Sequence, residues 1–424
     1  MASERDRYVD LLRAVSICVV VLGHWLAGAV TVVDGGVSFA NLLDVAPRTH
    51  PLTWLFQVMP VFFLVGGYAN AASLASRRRN GGSIADWLRW RALRLLRPTT
   101  VLLAVLLGVR LLAVALGADE ELAHNATWAA ATPLWFLVVY LAVVLLAPLA
   151  ESAHRRWGLK VVVVLVVGVL VGDLLRLASG DVAPAAGNYL FGWLAAHQAG
   201  IVWRDGGLPA TRAGAWTLVA GGLGLAVLLV GPGPYGVTMV GAAAAPDLTN
   251  TAPPTIALLA LATAQTGLVL LLRNPATAWL TRPRVWAAVV RVNAVVLTVF
   301  LWHMAAMVIG GFLLVGAGLI PDAEIGSAGW FALRIPWFAL LAVVLAGLVA
   351  LLGRFETALP PDLREHPSPA AVGLGLAAVL AGLAALGVTD TNGMAPPVAG
   401  IPLVELVLIT GGLVVLERAG HIRR

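Results

Sequence analysis

Apolar runs of about 20 residues recur from one end of this chain to the other, each long enough to cross the hydrocarbon core of a bilayer as one helix. An ordinary soluble domain does not carry that density: 60% of the residues are hydrophobic and 12% charged, with a mean hydropathy of +0.89. Periodicity is weak, so length carries the assignment. The runs predict about twelve membrane helices, centred near Val20, Phe62, Leu106, Val139, Val166, Leu194, Leu225, Leu261, Phe300, Leu341, Val379 and Leu408. The sixth, with Asn188, His197 and Gln198, is less apolar; the twelfth is short, holds Glu405, and reads equally as a bent or re-entrant segment. The expected fold class is an all-α polytopic membrane protein. Residues 1–352 form its main helical core and residues 353–424 add two carboxy-terminal helices, all within one membrane domain.

Arginine collects in alternate connections, and cytoplasmic loops are enriched in Lys and Arg. The connection after the second run holds Arg77, Arg78, Arg79, Arg89, Arg91, Arg94 and Arg97. Later even-numbered connections hold Arg155, Arg156 and Lys160, then Arg204 and Arg212, then Arg273, Arg282, Arg284 and Arg291, then Arg354 and Arg364. The odd-numbered ones carry Asp34 and Asp44, Asp119 with Glu120 and Glu121, Asp247, Asp322 with Glu324, and Asp390. This alternation predicts both termini in the cytoplasm, with Arg418, Arg423 and Arg424 outside the bilayer. It also accounts for the net charge of +6 without nucleic acid, for which no binding module is recognisable. The first run is too long for a removable signal peptide and lacks a small-residue cleavage site, so it is expected to be retained. Cys18, the single cysteine, permits no internal disulfide and is expected to pack as a small apolar residue. A composition rich in Ala, Val and Arg and nearly without lysine points to a GC-rich bacterial genome. The expected location is therefore the plasma membrane, as a multi-pass protein of the bacterial inner membrane.

The first run carries an Arg and a His. Arg13 and His24 are eleven residues apart, roughly three turns, so they share one helix face about 16 Å apart along the axis. Ionisable groups at membrane depth are costly and usually line a cavity or pathway. Asp10 stands three residues before Arg13, close enough to pair with it. Snorkelling to the headgroups would explain Arg13 alone, but His24 has no polar side chain among Val19 to Gly23, and function is the favoured reading for the pair. His303 lies in a helix running in the same direction, with Arg291 and Asn293 towards its cytoplasmic end; direct and structural roles stand evenly for it. The stretch from Ala85 to Arg97 reads as a short helix ended by Pro98, with Arg91, Arg94 and Arg97 every three residues and Trp87 and Trp90 at the interface. A topology anchor on anionic lipid explains Arg77 to Arg79; Arg94 and Arg97 are the candidates for a phosphorylated cytosolic ligand. Gly66 and Gly67, just before Tyr68, suit close helix approach or leave room for a ligand, packing being the favoured reading. Tyr189, His197 and Gln198 read either as cavity lining or as interhelical bonds. No zinc-ligand spacing, Walker loop, dinucleotide fingerprint or Gly-x-Ser-x-Gly elbow stands in a fitting context, so the chemistry is expected to use His and Arg with no metal.

Together these residues resemble the acyltransferase-3 family of integral membrane acyltransferases. The likeness is carried by Arg13 and His24 with ten residues between them, by Phe62-Phe63-Leu-Val-Gly-Gly-Tyr68, and by Arg94-Leu-Leu-Arg97-Pro98. Pro133-Leu-Trp-Phe136 and Phe300-Leu-Trp-His303 fit too, and the whole covers roughly residues 5 to 350. The resemblance implies a core of about ten membrane helices and transfer of an acyl group, commonly acetyl from acetyl-CoA, to hydroxyls of cell-surface or secreted molecules. It implies that His24 is catalytic, that Arg13 is a functional residue of the same helix, and that Arg94 and Arg97 lie near the donor. With it, Asp10, Tyr68 and His303 become supporting or cavity-lining residues. The partners implied are acyl-CoA as co-substrate, a hydroxyl-bearing acceptor and membrane lipid, with no resident cofactor. An extended pantetheine arm is on the order of 15–20 Å, comparable to the Arg13–His24 rise, and direct transfer through His24 as general base is the expected route. The two extra carboxy-terminal helices depart from the family pattern. No extracytoplasmic hydrolase-like domain is seen, so transfer is expected to finish within the membrane domain. The alternative is a transporter or flippase of a glycan, lipid or small anionic solute, because twelve helices with both ends inside is a transporter plan and buried Arg and His serve proton-coupled carriers. Against it, the first and second six helices show no relation and no long central loop divides them.

Overall fold

The computed structural model describes residues 6–33, 36–241, 248–319, 323–357, 367–392 and 402–419. Asp34, Asp247, Asp322, Arg364, Arg423 and Arg424 lie outside the described residues, as does the side chain of Asp390. With no water in a bilayer core, a chain must satisfy its backbone groups internally, and helices do so within one segment. All twelve expected centres fall in helices: α1 (Arg7–Ala27), α2 (Met59–Arg79), α3 (Ile84–Ala115), α4 (Leu134–Trp157), α5 (Lys160–Ser179), α6 (Asn188–Arg204), α7 (Arg212–Val230), α8 (Ile256–Trp279), α9 (Val296–Gly316), α10 (Ala328–Leu352), α11 (Pro369–Asn392) and α12 (Leu403–Arg418). Among the described residues, 10 helical stretches are long and apolar enough to cross a membrane. The two left over are α6, of 17 residues, and α12, of 16, about 24–26 Å long against a core of about 30 Å. The protein is a multi-pass membrane protein.

The chain falls into two compact units. The first comprises Met1–Ser73, Ala147–Asn293 and Ile320–Pro336; the second comprises Leu74–Leu146, Ala294–Leu319 and Trp337–Arg424.

In the first unit, small residues let helices meet backbone to backbone, as packing without a hydrophobic driving force requires. A Cβ on Gly67 of α2 would overlap the His197 carbonyl of α6, and one on Gly200 of α6 would overlap the Leu64 carbonyl of α2. Gly222 of α7 and Gly267 of α8 do the same for that pair, with a Cβ on Gly222 only 2.5 Å from the Ala264 nitrogen. The buried polar side chains of α6 join neighbouring helices: the amide of Asn70 meets Nε2 of His197 at 3.2 Å, and Gln198 donates to the Ala150 carbonyl at 3.3 Å. Both bonds correspond to the interhelical reading of α6.

Three features differ from the sequence expectation. First, the connection after α1 opens with two strands, which an all-α chain does not predict: β1 (Gly28–Val33) and β2 (Gly36–Asn41) pair antiparallel, with Gly28 opposite Asn41 and Val32 opposite Val37, before short helical turns from Leu42 to Phe56. Val30-Thr-Val-Val33, which follows Gly28-Ala29, is β-branched throughout, and this favours a strand once the bilayer no longer demands a helix. Second, Pro98 does not end a short helix; α3 runs unbroken from Ile84 to Ala115. A capping box starts it, Ser83 Oγ accepting from the Asp86 N–H and Asp86 Oδ2 from the Ser83 N–H. Just after the proline, Thr99 and Thr100 back-bond to the Leu95 and Leu96 carbonyls, each at 2.8 Å; the N–H that Pro98 lacks would have bonded the Arg94 carbonyl, and membrane helices tolerate such a proline. Third, Cys18 lies on the exposed face of α1 rather than packed within the protein.

In the second unit α11 and α12 form a tight helical hairpin, and a Cβ on Gly412 would stand 2.6 Å from the Gly375 carbonyl. Glu356 anchors the start of α9, accepting from the Leu297 N–H at 3.0 Å and from the Thr298 N–H and hydroxyl at 2.7 Å each. A carboxylate there meets both the orphan donors and the positive end of the helix dipole.

Candidate active site

The first unit builds its polar face around α1. Asp6 caps the helix, Oδ1 accepting from the Tyr8 and Val9 N–H groups at 3.0 and 3.3 Å. Its other oxygen accepts from the Tyr68 hydroxyl at 3.1 Å and pairs with Arg273 at 3.0 Å. The Trp203 ring lies against Tyr8 and Tyr68, with centroids at 6.3 and 4.9 Å, and beneath the Arg273 guanidinium at 5.4 Å. Tyr8 also donates to the Val269 carbonyl at 2.7 Å, and Asn293 donates to that of Asp10 at 2.9 Å. The first turns of α1 are thus held from α2, α6 and α8 together. Arg13 follows one turn on, 3.6 Å from Asp10, as the i,i+3 spacing anticipates.

His24 occupies the last turn of α1. Val15, Cys18 and Leu22 form the exposed stripe of this helix, Val15 and Leu22 being 47% and 42% exposed. Arg13 lies two residues before Val15 and His24 two residues after Leu22, each about 200° around the axis. Both groups therefore sit on the face turned away from the exposed stripe, beside the buried Asp10, Ile17 and Val21. Beyond His24, its carbonyl accepts from the Gly28 N–H, and the Gly28 carbonyl accepts from Arg334 at 3.1 Å. Arg334 in turn covers the Trp330 ring at 3.9 Å.

The second unit carries Arg94, Arg97 and His303. Arg94 is exposed, with its guanidinium 5.4 Å from the Trp90 ring, while Arg91 sits 5.7 Å from Trp87. Arg97 is half-buried and pairs with Glu417 at 3.4 Å. Glu356 lies within the field of Arg94, and its burial pushes the carboxyl above the ordinary range despite the hydrogen bonds and that arginine. His303 is fully buried, and its Nδ1 donates to the Phe300 carbonyl of its own helix at 2.5 Å. That bond places the proton on Nδ1 and leaves Nε2 as the acceptor in the neutral ring. Phe300 packs edge-on against Phe136 at 5.1 Å, so the segments Pro133–Phe136 and Phe300–His303 meet in space.

A model of the acyltransferase-3 family, described as an acyltransferase domain, matches residues 6–355. The chain belongs to the acyltransferase-3 family. No curated protein and no solved structure matches it. In this acyltransferase-3 chain the matched stretch begins at Asp6, the cap of α1, and ends at Phe355, immediately before Glu356. Family membership assigns acyl transfer by a membrane-embedded protein.

Sequence reasoning missed several polar residues of this acyltransferase-3 chain. Asp6 and Arg273 look like loop charges until α1, α2 and α8 come together. Arg89 reads as one of a run, yet it is buried against α12. Asp173 and Arg176 carried a usable signal, being ionisable residues inside the fifth apolar run. Asp173 accepts from Asn188 at 2.9 Å, from the Tyr235 hydroxyl at 2.9 Å and from the Ile256 N–H at 2.8 Å, tying α5, α6 and the start of α8 together. Burial, then this carboxylate, push the Tyr235 hydroxyl pKa up. Arg176 is 9% exposed, and its Nε and Nη1 have no hydrogen-bond partner among the described residues.

Proposed function

We propose that this acyltransferase is an O-acyltransferase that moves an acyl group, acetyl in the simplest case, from cytoplasmic acyl-CoA to a hydroxyl of a cell-surface glycan, lipid or secreted metabolite. Its place in this reading is the bacterial plasma membrane, crossed twelve times with both termini inside. The packing of the carboxyl end of α12 on the arginine-rich start of α3 supports a cytoplasmic carboxyl terminus.

In the proposed reaction a neutral His24 imidazole takes the proton of the acceptor hydroxyl as its oxygen attacks the thioester carbonyl. The tetrahedral intermediate then breaks its C–S bond. The departing sulfur takes the proton back from the imidazolium, leaving the new ester and free CoA. Arg13, Arg94 and Arg97 receive the donor's phosphate groups, for which guanidinium is the matching cation. Asp10 offsets the charge of Arg13 when no donor is present, and Tyr68 braces the cap of α1 through Asp6. His303, bonded within its own helix, supports the fold around Phe136 and Phe300.

The observation that carries this reading is that Arg13 and His24 share the non-exposed face of α1 inside the family-matched stretch. Replacing His24 by Ala is expected to cut acylation of the cellular product by about 100-fold or more, with membrane insertion and thermal midpoint unchanged. Product mass spectrometry of cells carrying each form measures it, and undiminished transfer removes His24 from the mechanism.

A further inference from the structure

The helical hairpin that follows the family-matched stretch reaches one of the arginines assigned to the donor. Arg89 of α3 is buried and donates through Nε to the Leu416 carbonyl at 2.7 Å and through Nη2 to the Glu417 carbonyl at 2.5 Å. A helix leaves its last four carbonyls without intrahelical partners and carries a negative dipole end there. Arg89 satisfies two such carbonyls and supplies the complementary charge, which fastens the end of α12 to α3. Nearby, the N–H of Ser368, just before α11, donates to the Ala419 carbonyl at 3.3 Å and closes the base of the hairpin. The Glu417 side chain is left over from this clamp. It extends to Arg97, eight residues along α3 from Arg89, and pairs with it at 3.4 Å.

We propose that the Glu417 carboxylate is an internal occupant of the donor site, holding the Arg97 guanidinium where a phosphate of CoA binds and giving way when the donor arrives. The carboxy-terminal hairpin then sets donor affinity. The proposal rests on the reading of Arg97 as a donor-binding residue. Two contrasts support it. The Arg89 bonds are buried and use backbone carbonyls, so the hairpin stays fixed whatever the Glu417 side chain does. The Glu417–Arg97 pair joins groups 45% and 24% exposed, the kind of pair that exchanges readily for a stronger anion. A phosphate offers more charge and more acceptor oxygens than one carboxylate oxygen at 3.4 Å. The same stretch of α3 faces a second carboxylate from beyond residue 355, since Glu356 lies in the field of Arg94.

The test is CoA binding to the purified full-length protein in lipid nanodiscs, followed by titration calorimetry across a series of salt concentrations. Glu417→Gln is expected to tighten CoA binding about two- to fivefold, the range of a half-exposed ion pair, without changing the thermal midpoint. Arg97→Gln is expected to weaken binding, and in that background Glu417→Gln is expected to change nothing. If Arg97→Gln weakens CoA binding while Glu417→Gln leaves it unchanged or weaker, the internal-occupant idea is overturned and the donor role of Arg97 stands. If Arg97→Gln leaves binding intact, the donor reading itself fails, whatever Glu417→Gln does. An effect of Glu417→Gln that persists in the Arg97→Gln background also overturns the proposal, because the carboxylate then acts elsewhere.

Discussion

Leu22 and His24 are two residues apart on one helix, and the difference in what surrounds them is a matter of angle. At about 100° per residue the first points to the exposed stripe and the second away from it, so spacing alone marks the polar face. Contacts between helices are less legible. Gly67 reads as a packing residue in the sequence, and it is one, but nothing in the chain announces that its counterpart is Gly200, a hundred and more residues later. Each would drive a Cβ into a backbone carbonyl of the other helix. A clash with backbone is not relieved by a rotamer change, so the helices must part. Gly67→Ala and Gly200→Ala are each expected to destabilise the protein by about 2–3 kcal/mol. Gly221→Ala, which meets nothing within 4 Å, is expected to be neutral or to stabilise by up to about 1 kcal/mol. Thermal unfolding in detergent compares the three, and equal midpoints would remove the direct-contact argument.

At the scale of elements, most helices follow from apolar length, and the departures have local causes. Pro98 favours a helix end in water, where the freed groups find solvent; α3 continues through it, because in a bilayer ending the helix would leave several backbone groups unsatisfied against the one N–H that the proline lacks. The strands β1 and β2 follow from β-branched residues placed outside an apolar run, a signal present in the sequence but overshadowed by the membrane pattern. The start of α9 depends on Glu356, which is distant in sequence and close in space. Burial raises its folded pKa above the ordinary 4.5, so the folded state binds more protons than the unfolded one between the two values. Its pH-linked stabilisation is therefore full below 4.5 and is lost as pH rises through the folded value. Glu356→Gln carries no such titration. Midpoints of the two forms measured across that range are expected to diverge, with the wild type falling relative to the variant as pH increases; parallel curves would show that this carboxyl does not titrate as described.

For the whole molecule, the arginine pattern makes a topological statement that a single cysteine makes easy to check. In a Cys18→Ser background, Asn80→Cys before α3 and Ala118→Cys after it sit at exposed positions on either side of that helix. A membrane-impermeant maleimide is expected to label Ala118→Cys in intact cells and Asn80→Cys only after permeabilisation; the reverse pattern would invert the orientation. Apolar length was enough to read a multi-pass α-helical membrane protein, because it depends on local chain geometry and on the bilayer as solvent; the acyltransferase-3 family was legible only as a resemblance, carried by short motifs in order from Arg13 and His24 to Phe300–His303. The bracing of α1 by Asp6, Tyr68, Trp203 and Arg273, the docking of α12 on Arg89, and the pairing of Glu417 with Arg97 were decided only by tertiary structure. Those contacts join residues dozens to hundreds of positions apart, and a charge in a loop looks the same in sequence whether it ends in water or against a partner.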